Sequence, residues 1–298
     1  MTAIQRYARP SPHFDERVAH AVAVLQSAAA EHAGAIVQSS SLGVEAMVLT
    51  DLIAAHQLPI AVATLDTGRL HAETLALITR IEQRYGIVVE RWQPRDEAVI
   101  RFVTRHGVDP MYRSAELRRA CCDLRKVEPL ARMLHGRSAW ITGRRRQQSA
   151  TRDAVPFHEH DRDGRLKLNP LADWSWGDVW HYVASRDVPY NELHDRRFPS
   201  IGCEPCTRAI ADGEDFRAGR WWWENDEARE CGLHSKPHSA APAATSRSEA
   251  GVVVPAQAHI GAADVKAAPA AGRSQNADSG LHVQAAPAPA ARVAQPAR

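Results

Sequence analysis

Five cysteines serve 298 residues, and four of them stand in two tight pairs. Cys121 and Cys122 are adjacent in "ACCDLRKVEPL", and Cys203 and Cys206 form the C-x-x-C of "GCEPC". A disulfide between neighbouring residues closes a strained ring, so the first pair is a poor structural staple. Four thiolates meet the requirement of a [4Fe–4S] cluster, whose several irons can be reached by adjacent cysteines. They also suit a structural zinc, although zinc sites usually draw on two C-x₂₋₄-C pairs and the adjacent pair departs from that pattern. Four buried free thiols are the plain alternative. Lys126 lies four residues after Cys122, on the same face of a helix. Beside a thiolate-ligated, negatively charged centre its cation would be stabilised; taken alone it reads as an ordinary solvent-facing lysine.

The fifth cysteine, Cys231 in "ARECGLHSKP", has Arg229, His234 and Lys236 around it and Glu230 opposing them. Nearby positive charge raises the thiolate fraction and makes a nucleophile; an incidental surface cysteine is the plain reading. Anion chemistry is spread over three further segments. "SSSLGVEAMVL" joins a strand to a helix N-terminus, where free N–H groups favour anions, but it is neither a P-loop nor a G-x-G-x-x-G. "TGRRRQQSATR" concentrates Arg144, Arg145, Arg146 and Arg152, and "DFRAGRWWWE" spaces Arg217 and Arg220 three apart. Guanidinium forks grip phosphate and sulfate oxygens in pairs.

These segments sit at the ends of a regular alternation. Residues 33–38 read as a buried strand, 43–57 as an amphipathic helix, and 59–66 as a strand. A helix over 70–86 ends at glycine, a third strand covers 87–92, and 116–136 is mostly helical with a kink near Pro129. A fourth strand spans 138–143, and 165–185 reads as a strand end followed by a helix capped by Asp173 or Ser175. Trp174, Trp176 and Trp180 in that segment belong to the core or to a lid. The alternation predicts an α/β fold, a mostly parallel sheet flanked by helices, with ligands bound beyond the strand C-termini. Those ends carry "SSSLGVE", "LDTGRL" and "TGRRRQQSATR".

A net charge of +2 supplies no field for nucleic acid or a membrane surface, and no apolar run approaches the roughly 20 residues of a membrane span. No secretory h-region opens the sequence, so a cytoplasmic location is expected, with thiols kept reduced for metal binding or catalysis. Past residue 237 the composition turns to Ala, Pro, Ser and Gly without an aromatic residue, which predicts a disordered tail. The expected division is a domain over 1–237 and an Ala/Pro-rich tail over 238–298.

Taken together, "SSSLGVEAMVLTDL", "LDTGRLHAET", "CCDLRKVEPL", "WITGRRRQQSATR", "KLNPLADWSWGDVWHYV", "PYNELHDRRFPSIGCEPCTR", "DFRAGRWWWE" and "ECGLHSKP" occur in the order of a known family. The chain resembles the assimilatory adenylyl-sulfate (APS) reductases of bacteria, the iron–sulfur branch of the sulfonucleotide reductases, over roughly residues 33–237. The resemblance implies a Rossmann-like adenine-nucleotide-binding domain. Cys121, Cys122, Cys203 and Cys206 would ligate a [4Fe–4S] cluster, and Lys126 would lie between cluster and substrate. Cys231 would attack the substrate's sulfate sulfur, expel AMP and become a thiosulfonate, from which thioredoxin would release sulfite. Ser40, Leu65, Thr67 and Gly143 fall on the family's nucleotide-contact positions. Arg145, Arg152, Arg217 and Arg220 fall on its basic positions around the phosphosulfate. Family members tend to be homo-oligomers.

Two departures stand out. Family members often carry an acidic residue where "GVEA" has Ala46, and they commonly end soon after "ECGLH", whereas residues 238–298 follow here. Three rival readings remain at this point. One is a reductase of the 3′-phosphorylated substrate PAPS, although enzymes specific for PAPS generally lack the four cysteines. Another is a zinc-stabilised nucleotide-binding module without catalysis, which leaves Cys231 unexplained. The third is an ATP-pyrophosphatase of related fold, whose "SGGxDS"-type loop differs from "SSSLGVE".

Overall fold

The computed structural model describes residues 1–148, 152 and 154–224. Cys231 and the expected tail at 238–298 lie outside the described residues.

The central strands carry apolar residues on both faces, and these build two core layers from one sheet. Strands β1 (Ile36–Ser40), β2 (Ala61–Leu65), β3 (Val89–Trp92), β4 (Ala139–Ile141), β5 (His158–His160) and β6 (Leu166–Leu168) form a six-stranded sheet in the order β3-β2-β1-β4-β6-β5. All neighbours pair in parallel except β5, which runs antiparallel to β6. Ile36, Val62, Ala139 and Ile141 point into the larger core; Val37, Ala63 and Trp140 point into the smaller one on the opposite face. Successive residues of a strand face opposite sides, so the central strands β1, β2 and β4 serve both layers.

The larger core is covered by α1 (Ala3–Tyr7), α2 (Phe14–Glu31), α3 (Val44–Ala55), α4 (Ala72–Tyr85) and α8 (Trp176–Arg186). On the other face, Leu130 and Met133 of α7 (Glu128–Met133) pack on Trp140 and Val37. Two further helices, α5 (Asp96–His106) and α6 (Ala115–Cys122), precede α7. None of these helices is long and apolar enough to cross a membrane. The predicted strands and helices of the first half are all present within a few residues of their expected bounds, and Gly86 closes α4 in the left-handed conformation (φ 64°). α1, α2, α5 and β5 have no counterpart in the sequence reading.

Residues 116–136 depart from the expected kink at Pro129. The irregularity comes earlier, as a π-helical stretch Asp123–Val127 between α6 and α7. Pro129 falls in the first turn of α7, where its missing N–H costs little. The cap of α8 is Ser175 rather than Asp173: its hydroxyl accepts from Asp178 N while the Asp178 carboxylate accepts from Ser175 N. Trp174 and Trp180 are fully buried core residues. Trp176 is half-buried and packs edge-on against Trp180 and Phe216, so it connects the core to a residue of the cleft described below.

Asp178 also holds the N-terminal arm. Its buried carboxylate accepts from Ser11 N at 2.6 Å and from Arg17 Nη1 at 2.6 Å. Burial disfavours its charge, but the hydrogen bonds from Ser11 and Ser175 outweigh that and hold its pKa below the ordinary carboxylate value. A depressed folded-state pKa stabilises above the unfolded value and is lost as pH falls through the folded one. Asp178→Asn is therefore expected to cost about 2 kcal/mol near neutral pH. The gap between variant and wild type, measured by urea titration, should shrink as pH drops below about 4.

Candidate active site

The strand order reverses between β1 and β4, and at this switch point the C-terminal ends of the central strands open onto a cleft of about 210 Å³. Ser40 comes from the end of β1, Leu65 and Thr67 from β2 and its following turn, and Gly143 from the turn after β4. Arg152, Arg217 and Arg220 complete the opposite wall. Gly143 is tightly placed: a Cβ there would lie 3.0 Å from Glu45 Cβ and 3.3 Å from Ala46 N, so the turn after β4 packs closely on the start of α3. The β1–α3 loop is held by its own hydroxyls, with Leu42 N donating to Ser40 Oγ and Gly43 N to Ser41 Oγ. Ala46, where the family often has an acid, is buried, and its carbonyl accepts from Gln38 Nε2 and Thr50 Oγ1.

Seven of the eight expected ligand residues thus share one cleft. Arg145 is the exception. Its guanidinium turns inward, donates from Nε to Glu45 Oε1 at 3.0 Å and from Nη1 to the Trp174 carbonyl at 3.2 Å, and lies over the Trp176 ring. Burial opposes the charge of Glu45, but Arg145 and Gln148 hold its carboxyl below the usual range. Three consecutive arginines project in three directions. Arg144 lines the cleft and pairs with Glu159, Arg145 is buried, and Arg146 donates to the Val155 carbonyl and lies over Phe157. Spacing alone could not say which of them meets a ligand.

The four paired cysteines come together as expected. Cys121 and Cys122 end α6; Cys203 and Cys206 flank the short 3₁₀ turn Glu204–Cys206. All four are buried, free and line one small cavity with Met111, Arg118, Arg125, Lys126 and Trp221. The C-x-x-C loop is tied on both sides. Leu70 bridges to Cys203, Glu204 N donates to the Arg69 carbonyl, and Trp221 N donates to the Cys206 carbonyl. Thr67 Oγ1 lies 3.3 Å from Cys203 Sγ. Among the described residues, no three His, Cys, Asp or Glu groups are arranged to hold a single metal ion. Sulfurs spread around a cavity can still ligate a polynuclear cluster, whose irons are themselves several ångströms apart. In donor chemistry the set therefore fits a [4Fe–4S] cluster.

The thiols are electrostatically unequal. Burial raises the Cys203 pKa, but Lys126, Thr67, Arg220 and Arg125 together bring it below its ordinary value. Burial, with Cys203 and Cys122 nearby, pushes Cys206 up to about 12, and burial also raises Cys121 against the pull of Arg125. Lys126 and Trp221 line both the cleft and the cysteine cavity, so the two spaces share a wall.

Sequence reasoning missed several of these residues. Arg118 and Arg125 are buried beside the cysteines, and their spacing on the α6–π stretch, at i−4 and i+3 from Cys122, was the available signal. His194 lines the cleft, fully enclosed, with neither ring nitrogen hydrogen-bonded among the described residues. Burial keeps that imidazole neutral and pushes its pKa down to about 4. Arg145→Ala would strand the Glu45 carboxylate in the interior, so it is expected to lower folding stability by about 3 kcal/mol. Arg217→Ala, in the cleft wall, should leave the melting temperature nearly unchanged and weaken ligand binding instead; thermal denaturation and equilibrium binding separate the two.

A family model described as the phosphoadenosine phosphosulfate reductase domain matches residues 35–209. The adenosine 5'-phosphosulfate reductase of Allochromatium vinosum is 54% identical over 202 residues, covering 67% of this chain and 79% of the relative. That of Burkholderia cepacia is 53% identical over 208 residues, covering 69% and 82%. The crystal structure of phosphoadenylyl-sulfate (PAPS) reductase from Candida auris, a phosphate complex, superposes with a TM-score of 0.54 at 28% identity, covering 66% of this chain and 97% of that one. The matched span contains every strand that frames the cleft, and the chain belongs to the phosphoadenosine phosphosulfate reductase domain family.

Proposed function

We propose that the protein reduces adenylyl sulfate to sulfite and AMP in sulfate assimilation, in the reducing cytoplasm, with thioredoxin as electron donor. The observation that carries this reading is the shared wall: a cleft bearing seven expected nucleotide and anion contacts adjoins four buried thiols through Lys126 and Trp221. The names of relatives at 52–54% identity favour adenylyl sulfate over its 3′-phosphorylated form.

The cleft would bind and orient the substrate. Backbone groups at Leu65 and Gly143 border the nucleotide space, while Arg152, Arg217, Arg220 and Lys126 would face the phosphosulfate. The Cys231 thiolate attacks the sulfate sulfur; an S–S bond forms and the S–O bond to AMP breaks, its electron pair leaving with AMP. Cations at the reacting centre stabilise that departing charge. A thioredoxin thiolate then attacks Cys231 Sγ, sulfite leaves with the bonding pair, and the second thioredoxin thiol closes a disulfide, so the dithiol supplies two electrons. Cys121, Cys122, Cys203 and Cys206 would hold a [4Fe–4S] cluster, which when bound supplies a fixed negative centre that orders the neighbouring cations.

Anaerobically purified protein should be brown and carry about four irons and four sulfides per chain. A colourless protein with one zinc would refute the cluster. Incubation with ³⁵S-labelled adenylyl sulfate, without reductant, should leave label on the chain in a denaturing gel, released as sulfite by thioredoxin. Cys231→Ser should take up no label yet retain cluster absorbance and nucleotide binding; sulfite production by that variant would sink the nucleophile assignment. Labelling by ³⁵S-PAPS but not by the unphosphorylated substrate would reverse the substrate assignment.

A further inference from the structure

Gly202 precedes Cys203 and lines the cleft. Its φ is not among the positive values of the chain, so its backbone is one that other residues adopt. Space, not conformation, distinguishes the position. A Cβ built on Gly202 would lie 2.4 Å from Arg220 Nη2, 2.6 Å from Cζ and 3.0 Å from Nη1. Real Cβ atoms do not approach heavy atoms that closely, so the guanidinium occupies the volume a side chain at 202 would take.

That guanidinium is otherwise narrowly placed. It lies over the Trp221 ring at 4.7 Å, and Nη1 donates to Ser200 Oγ at 3.3 Å. Arg220 is 7% exposed and its backbone bridges to Thr207, next to the C-x-x-C turn. Its Nε is buried with no hydrogen-bond partner among the described residues, although the side chain borders the cleft. A buried guanidinium N–H is costly to leave unmet, and an anionic ligand would meet it.

We propose that Gly202 is a positioning residue: its lack of a side chain sets the Arg220 guanidinium at the cleft wall, where it grips the anionic end of the ligand. This rests on the sulfonucleotide reading above. A methyl group at 202 would force the flat fork off its seat. Nothing in the Gly202 backbone itself would need to change.

A double-mutant cycle on the full, anaerobic protein tests this, with the Kd for adenylyl sulfate as readout and cluster absorbance and melting temperature as controls. Gly202→Ala should weaken binding roughly tenfold, about the worth of one charge-assisted hydrogen bond. In an Arg220→Ala background the same substitution should be silent, because the displaced group is gone. Equal weakening in both backgrounds would overturn the proposal, since the glycine would then act without Arg220. Unchanged binding by Gly202→Ala alone would overturn it as well. If Gly202→Ala does not fold, folding restored in the double variant supports the clash, and failure of both refutes it. Wild-type protein that does not bind adenylyl sulfate at all would overturn the functional reading, and with it this inference.

Discussion

Burying a guanidinium costs several kcal/mol unless an anion or a full set of acceptors faces it. Arg118, Arg125 and Arg220 are all buried within one small region. Arg118 meets the Glu224 carboxylate at 2.5 Å. Arg125 and Arg220 donate to neutral oxygens, the Thr67 carbonyl and the Ser200 hydroxyl. Both also lie near sulfur: Arg125 opposes the burial that raises the Cys121 thiol, and Arg220 opposes it at Cys203 and Cys206. Cations and thiols therefore need each other in this interior. Protonated thiols would repay little of the guanidinium desolvation, whereas thiolates held by a metal centre would repay much of it. A cluster bound by these four cysteines would therefore link its own formation to the folding of the chain around it.

That constraint dictates which pieces of chain must converge. The β2–α4 turn brings Thr67 to Cys203 and the Arg69 carbonyl to Glu204 N. The α6–π stretch brings Cys121, Cys122, Arg125 and Lys126. A π-helical turn displaces side chains from the regular α spacing, and here it lies within the cation run itself. The 203–221 segment closes the ring through its own bridges. The reversal between β1 and β4 opens the cleft, and the turn after β2 brings it against the cysteines. Gly143 lets the two halves approach; a side chain there would crowd the start of α3.

The sheet was legible because parallel strands are short apolar runs separated by periodic helices, and 33–143 shows both. The cysteine cavity was legible from an adjacent pair plus a C-x-x-C, a pattern with few chemical uses. What escaped the sequence lacked a local signature. β5 carries two histidines and a glutamate and is fixed by antiparallel pairing with β6 and by the ion pairs of Glu159 with Arg144 and Lys167. α5 buries no residue fully. Arg145 looked like its neighbours in "GRRRQQ", and distant partners turn it inward: Glu45, one hundred residues earlier, with the Trp174 carbonyl and the Trp176 ring. Pro129 suggested a kink, but a proline is disruptive only beyond the first turn, and the helix restarts just before it.

Tethering also bears on the proposed chemistry. The Arg118–Glu224 pair fastens the end of the 203–224 segment to α6, with Arg118 over the Trp221 ring. Cys231 lies seven positions beyond Glu224. A chain of that length spans at most about 25 Å when extended. The cleft wall at Trp221 and Arg220 lies only three and four residues before that anchor. Both members of the pair are buried, so removing either one would weaken the seat of Trp221 at the wall shared by the cleft and the cysteine cavity.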